Sequence, residues 1–303
     1  MSSTLSRREL LRRLALAGMA LGIRGPLAAQ GTEDPDRERL AAWTRRLRDE
    51  GLAKVELPLG RSADRVGELA AGTPYVPGRL DQYLLHGGDP LATEPLTLSL
   101  TSFDCVTLVE SCLAVSRVAG HAGPPTWAGF GREVERMRYR GGTRRGYASR
   151  LHYFSEWIAD GARRGLVRDL GQELGGTNDA RPLRFMTTHR QSYPALANPA
   201  VLREIHAMEQ QLDNHPRWMV PRAAIPDAAA RIESGDVLAF ATSIPGLDVT
   251  HAALAYRDKA GVLRVLHAPL SGGVVEVAAR PLAEYVAAIH RSTGVLVARP
   301  LWD

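Results

Sequence analysis

The stretch 249-VTHAALAYRDKAGVLRVLH-267 decides the fold class. Two β-type runs, Val249–Tyr256 and Val262–His267, flank the turn-forming residues Arg257-Asp258-Lys259-Ala260-Gly261, which is the pattern of a β-hairpin. Placing Tyr256 opposite Val262 sets His251 directly opposite His267, with Cβ atoms about 4.5–5.5 Å apart. Val249, Ala253 and Ala255 fall on the face of His251 and are apolar, so the pair is expected against a buried surface.

Moving outward, further short β runs are expected at 236–242, 273–277 and 294–299, interrupted by one helix at about 281–290. The chain before residue 235 reads as helices. Asp34-Pro35 is an N-cap with a first-turn proline, followed by Leu40, Trp43 and Leu47 on one face and a stop at Gly51. Ser62 opens a second helix through Val66 and Leu69, closing at Gly72. Others are expected from Cys105 to Val118, Trp127 to Met137 and Ser149 to Ala162, with another from Asn198-Pro199 through Leu212. Residues 171–184, polar and rich in glycine, read as a surface excursion. Helices first and strands later give an α+β class, with N-terminal helices packed on a C-terminal antiparallel sheet.

The chain has 303 residues, 45% of them hydrophobic, enough for one large domain with a full core. About +4 of the formal charge of +5 lies in residues 1–29, where Arg7, Arg8, Arg12, Arg13 and Arg24 face only Glu9. The remainder is near neutral, which removes the electrostatic basis for nucleic-acid binding. No apolar run is long enough for an integral membrane span. Arg7-Arg8, the apolar run Leu14–Ile23 and the small residues of Pro26-Leu27-Ala28-Ala29 have the order of an export signal, twin-arginine in type, with cleavage after Ala29. The expectation is therefore an exported, periplasmic protein, with residues 30–303 forming a single domain with helical elaborations.

The two cysteines, Cys105 and Cys112, are seven residues apart; on one helix their Cα atoms lie about 10.5 Å apart. That is beyond the reach of a disulfide, about 7 Å. Cys112 sits mid-helix among Leu108, Val109, Leu113 and Val115, as a small buried hydrophobe. Cys105 falls in the first turn, where backbone N–H groups and the helix dipole are expected to lower a thiol pKa and to offer oxyanion donors. Position alone leaves nucleophile and core thiol both open. Of the nine histidines, His251 and His267 supply what a thiol nucleophile needs: one base, and one group to hold that base in the right tautomer. Zinc is the competing use of a histidine pair, but the chain has neither His-Glu-x-x-His nor paired Cys-x-x-Cys. No metal or other cofactor is called for.

Cysteine at a helix start, histidine on a strand and a polar residue on the next strand resembles the papain-like, NlpC-type cell-wall cysteine hydrolases. The closer resemblance is to one branch, the N-acetylmuramoyl-L-alanine amidase-like family. The matching runs are Gly72-Thr73-Pro74-Tyr75-Val76, Phe103-Asp104-Cys105-Val106-Thr107-Leu108-Val109-Glu110, Arg150-Leu151-His152-Tyr153-Phe154, Phe185-Met186-Thr187-Thr188-His189-Arg190, Gly235-Asp236 and Gly246-Leu247-Asp248-Val249-Thr250-His251. The resemblance implies a papain-like fold with the histidines on a sheet or half-barrel. It also implies Cys105 as nucleophile, His251 as base, and His267, ahead of Gly272-Gly273-Val274, as the orienting third residue. Tyr75, Arg150, His152 and His189 are substrate-site candidates, with packing behind the site as the alternative. The expected substrate is peptidoglycan or a muropeptide, cut between N-acetylmuramic acid and L-Ala. The other readings are cleavage between γ-D-Glu and the diamino acid, a non-catalytic peptidoglycan-binding protein, and an acyltransferase on the same scaffold.

Overall fold

The computed structural model describes residues 34–269 and 273–302. The export-signal reading and its cleavage site lie outside the described residues.

The first half is helical. Helices α1 (Pro35–Asp49), α2 (Leu59–Leu69), α3 (Cys105–Gly120), α4 (Trp127–Arg138), α5 (Phe154–Arg163) and α6 (Pro199–Leu212) are joined by loops and short helical turns. The strands are β1 (Val167–Asp169), β2 (Thr177–Asn178), β3 (Trp218–Pro221), β4 (Val237–Thr242), β5 (Val249–Arg257), β6 (Leu263–His267), β7 (Glu276–Val277) and β8 (Ser292–Pro300), with helix α7 (Leu282–Ala288) before the last. The strands form one sheet in the order β2-β3-β8-β4-β5-β6-β7, with β1 also pairing β8, and every pairing is antiparallel. The class is α+β.

Helix α3 is the axis of the helical layer. Every residue from Leu108 to Ala119 is buried, and α1, α2, α4 and β5 pack around it. Its apolar side chains join Ala239, Ala241, Ala252 and Leu254 from one face of the sheet in a single core. The opposite face, with Leu238, Phe240, Ala253 and Val265, is closed by Ile225, Ile232, Leu282 and Val286. Strand β4 is therefore buried along its whole length, and its unbroken apolar run VLAFAT reflects that. Among the polar groups enclosed with α3 is the ion pair of Glu110 and Arg138, 2.7 Å apart and 1% and 3% exposed.

Several elements differ from expectation. Helix α2 begins at Leu59, not Ser62, and the Ser62 hydroxyl donates to the Leu52 carbonyl instead of capping. The helix expected over 149–162 begins only at Phe154. Residues 150–153 are extended, with Arg150 bridged to Tyr139 and the Leu151 N–H given to Arg138. A distant carboxylate sets the start of α5, because Asp248 accepts the Ser155 N–H at 2.8 Å. Residues 171–184 are folded rather than a surface excursion, since they contain β2 and bury Leu174 and Leu183. The run expected over 273–277 is a strand only at Glu276–Val277, preceded by an isolated bridge from Val274 to Pro74. Strands β1 and β3 carry no periodic signal in the sequence; both are short and lie along β8.

Candidate active site

Cys105 is the first residue of α3, and the cap before it is reciprocal. Asp104 accepts the Thr107 N–H at 2.8 Å, while its own N–H is bonded to the Thr107 hydroxyl at 2.9 Å. Thus Asp104 occupies the Thr107 donor, and the N–H groups of Cys105 and Val106 are left turned to the sulfur.

A third N–H, from the sheet, favours the thiolate. Ala255 donates to Asp236 beside β4, so by strand alternation the Ala252 N–H points toward β6. The β5–β6 ladder, however, ends at the Leu254–Leu266 pair. Cys105 lies on that side, and the Ala252 N–H favours its thiolate. The nucleophile candidate therefore sits where the two histidine strands part, beside the backbone of His251.

The hairpin register corrects the expected one. Tyr256 pairs with Arg264, two residues beyond Val262, so His251 and His267 are diagonal neighbours rather than directly opposed. A two-residue shift preserves the face, and the imidazoles still meet: His251 Nε2 lies 2.9 Å from His267 Nδ1, with the rings nearly perpendicular. A bulge opposite Phe240 and Ala241 inserts Thr250 into β5. Val249 consequently packs into the core on the α3 side, while Ala253 and Ala255 belong to the opposite core. The His251 ring stacks on Phe240 at 5.7 Å between centroids.

Burial sets the electrostatics. It lowers His251 to about 3, with the neighbouring His267 adding to the effect, and lowers His267 to about 4. Both imidazoles are neutral near pH 7. The Cys105 thiol moves opposite to the expectation from its helix position. Burial pushes it up to about 12, and Asp104 adds to the rise, outweighing the three backbone N–H groups that favour thiolate. The resting pair is accordingly thiol and imidazole, not thiolate and imidazolium.

Two side chains without a local sequence signal join the histidines. The Tyr285 hydroxyl, from α7, lies 3.2 Å from His267 Nδ1. Glu276, the cross-strand partner of His267, places Oε1 3.9 Å from Nε2. Among the described residues, no group of three or more His, Cys, Asp or Glu side chains is arranged to hold a metal ion.

The substrate-site candidates separate. Tyr75 lies beside the thiol: its strand segment bridges Phe103, and burial together with Cys105 and Asp104 raises its phenol pKa. Arg150 is 8% exposed and committed to Asp81 at 2.7 Å and Glu94 at 3.0 Å, with its guanidinium 4.8 Å from the Tyr147 ring centre. His152 Nε2 is bonded to the Tyr147 carbonyl at 2.9 Å, and its pKa is driven well below the usual value by burial and by Arg150. Both are built into a buried polar layer. His189 is exposed, stacked on Phe185 and bonded through Nδ1 to its carbonyl. The turn Phe185–Thr188 that carries it is anchored by buried Glu209, which accepts from the Tyr153 hydroxyl and the Met186 and Thr187 N–H groups.

A family model described as AmiA-like, N-acetylmuramoyl-L-alanine amidase-like, matches residues 65–294. No curated protein matches the sequence. Among solved structures, an N-acetylmuramoyl-L-alanine amidase from Bacteroides uniformis is 30% identical, with a TM-score of 0.72 over 80% of this chain and 98% of that one. A candidate xylanase from Bacteroides fragilis is 33% identical, with a TM-score of 0.70 over 77% and 99%. A Legionella pneumophila protein of the DUF1460 family shares the fold at 16% identity, with a TM-score of 0.60 over 88% and 96%. This chain belongs to the N-acetylmuramoyl-L-alanine amidase-like family.

Proposed function

We propose that the chain is an exported, papain-like peptidoglycan amidase that cuts between the lactyl carbonyl of N-acetylmuramic acid and L-Ala, with Cys105 as nucleophile. The observation that carries the reading is the 2.9 Å contact between His251 Nε2 and His267 Nδ1, on the strand whose Ala252 N–H acts on the thiol at the start of α3. It occupies Nε2 of His251 and leaves Nδ1 as the nitrogen for the thiol proton. Family membership supports the bond chosen, and the reading of residues 1–29 supports export.

With both groups neutral at rest, His251 Nδ1 takes the thiol proton as the sulfur attacks the lactyl carbonyl carbon. The N–H groups of Cys105 and Val106 stabilise the oxyanion. Protonated His251 then gives its proton to the L-Ala nitrogen, the C–N bond breaks, and the lactyl group remains as a thioester on Cys105. Water, deprotonated by His251 Nδ1, then attacks the thioester carbonyl; the C–S bond breaks, the lactyl group leaves as the free acid, and His251 returns the proton to the Cys105 sulfur. His267 accepts from His251 Nε2–H throughout, which fixes the ring and spreads the imidazolium charge.

The test is a muropeptide digest with the wild-type protein and Cys105→Ala, read by mass spectrometry. The expected products are saccharide with a free lactyl carboxylate and a peptide beginning in L-Ala, with none from Cys105→Ala. Products cut at γ-D-Glu, or a fully active Cys105→Ala protein whose unfolding curve is unchanged, would overturn the proposal.

A further inference from the structure

The mechanism gives each nitrogen of His251 a task but only one nitrogen of His267. Its Nδ1 must accept from His251, so the ring proton must reside on Nε2. That atom is buried, on a side chain 2% exposed, and has no hydrogen-bond partner within reach. Buried polar atoms are rarely left so in folded proteins. The Glu276 carboxylate faces it directly: the residues are register partners on β6 and β7, and Oε1 is 3.9 Å from Nε2. The Glu276 side chain is half-exposed, so it can move the remaining distance with little repacking. The other group at this ring, the Tyr285 hydroxyl, meets Nδ1 and does nothing for Nε2.

We propose that Glu276 is a positioning residue that holds His267 as the Nε2–H tautomer, extending Cys105–His251–His267 outward by a fourth, solvent-touching member. The assignment rests on the amidase reading for its functional meaning. Its structural content, one fixed tautomer of His267, does not depend on that reading. In the Nδ1–H tautomer His267 would donate toward His251 Nε2, force the His251 proton onto Nδ1, and remove the lone pair that takes the thiol proton. A carboxylate at Nε2 disfavours that state, because it accepts from N–H and repels a bare nitrogen lone pair.

The test uses the full chain as wild type, Glu276→Ala and Glu276→Gln, with Cys105→Ala as reference. Imidazole 15N spectra of the substrate-free proteins should show His267 as Nε2–H in wild type and as a tautomer mixture in Glu276→Ala. On muropeptide, kcat of Glu276→Ala should fall about 10–100-fold, with KM within about twofold and an unchanged unfolding midpoint. Glu276→Gln, whose amide oxygen can still accept from Nε2–H, should recover much of the loss. A single Nε2–H tautomer and undiminished kcat in Glu276→Ala would overturn the proposal. So would equal losses in the Ala and Gln variants, which would mark a charge or packing effect instead. Failure of the amidase reading appears separately, as activity in Cys105→Ala, and leaves the tautomer spectra to decide the role of Glu276.

Discussion

Keeping two imidazoles neutral inside the sheet makes the protein acid-sensitive by an amount that can be worked out. An unfolded histidine titrates near 6.5, whereas the folded His251 and His267 are held at about 3 and about 4. Below pH 6.5 the unfolded chain therefore binds protons that the folded chain refuses, and stability falls with pH until the folded values are reached. At pH 5 both rings are still neutral in the fold while their unfolded counterparts are almost fully charged. Each contributes a loss of about 2 kcal/mol relative to pH 7, or about 4 kcal/mol for the pair. The perturbation is the double substitution His251→Gln/His267→Gln, and the assay is urea unfolding of both proteins at pH 7 and pH 5. Taking the difference between the two proteins cancels the buried carboxylates Glu94, Glu110 and Asp248, whose raised pKa values act in the opposite sense. Wild type should lose about 4 kcal/mol more on acidification than the variant. Equal losses would refute the claim that burial holds these rings neutral.

Asp104→Ala should act in two directions at once. Losing the cap should lower stability by about 1 kcal/mol, while removing a carboxylate beside Cys105 should lower the thiol pKa and speed its alkylation by iodoacetamide at pH 8. Slower alkylation would show that the cap, not the charge, governs the thiol. Glu110→Ala should be severe, because it leaves the Arg138 guanidinium buried and uncompensated; urea unfolding should register a loss of about 3–5 kcal/mol, and a loss under 1 kcal/mol would mean that the pair is dispensable.

Features written in adjacent residues are legible in the sequence itself. Asn198-Pro199 and Asp104-Cys105 each start a helix where a local cap demands one. Features set across the fold are not. The start of α5 depends on Asp248, 93 residues away, β1 is a strand only because β8 lies beside it, and β3 is one because it lies between β2 and β8. The hairpin register departs by two residues because the five-residue loop lies one position further along, over Asp258–Val262, where the Asp258 carboxylate accepts the Ala260 and Val262 N–H groups. The histidine pair withstands that shift for a geometric reason: a slip of two returns each side chain to its original face. The thiol pKa runs against its helix position because a rule about helix ends contains neither burial nor the charge of the cap itself. Tyr285 and Glu276 are single polar residues in ordinary surroundings, and only the folded chain shows that both meet one imidazole.

Strand β8 has a consequence for the order in which the molecule can assemble. Among the described residues it is the last strand in sequence, yet it lies inside the sheet, bonded to β4 along one edge and to β1 and β3 along the other. Until residues 292–300 have been synthesised, β4 offers a bare, apolar edge, β1 has no template on which to become a strand, and β3 has only the two-residue β2. The helices around α3 and the histidine hairpin can form earlier from closer contacts, but they then wait beside an open edge prone to pairing with another chain. Shielding that edge is a demand on the cell that makes this protein, and it ends only when β8 closes the sheet.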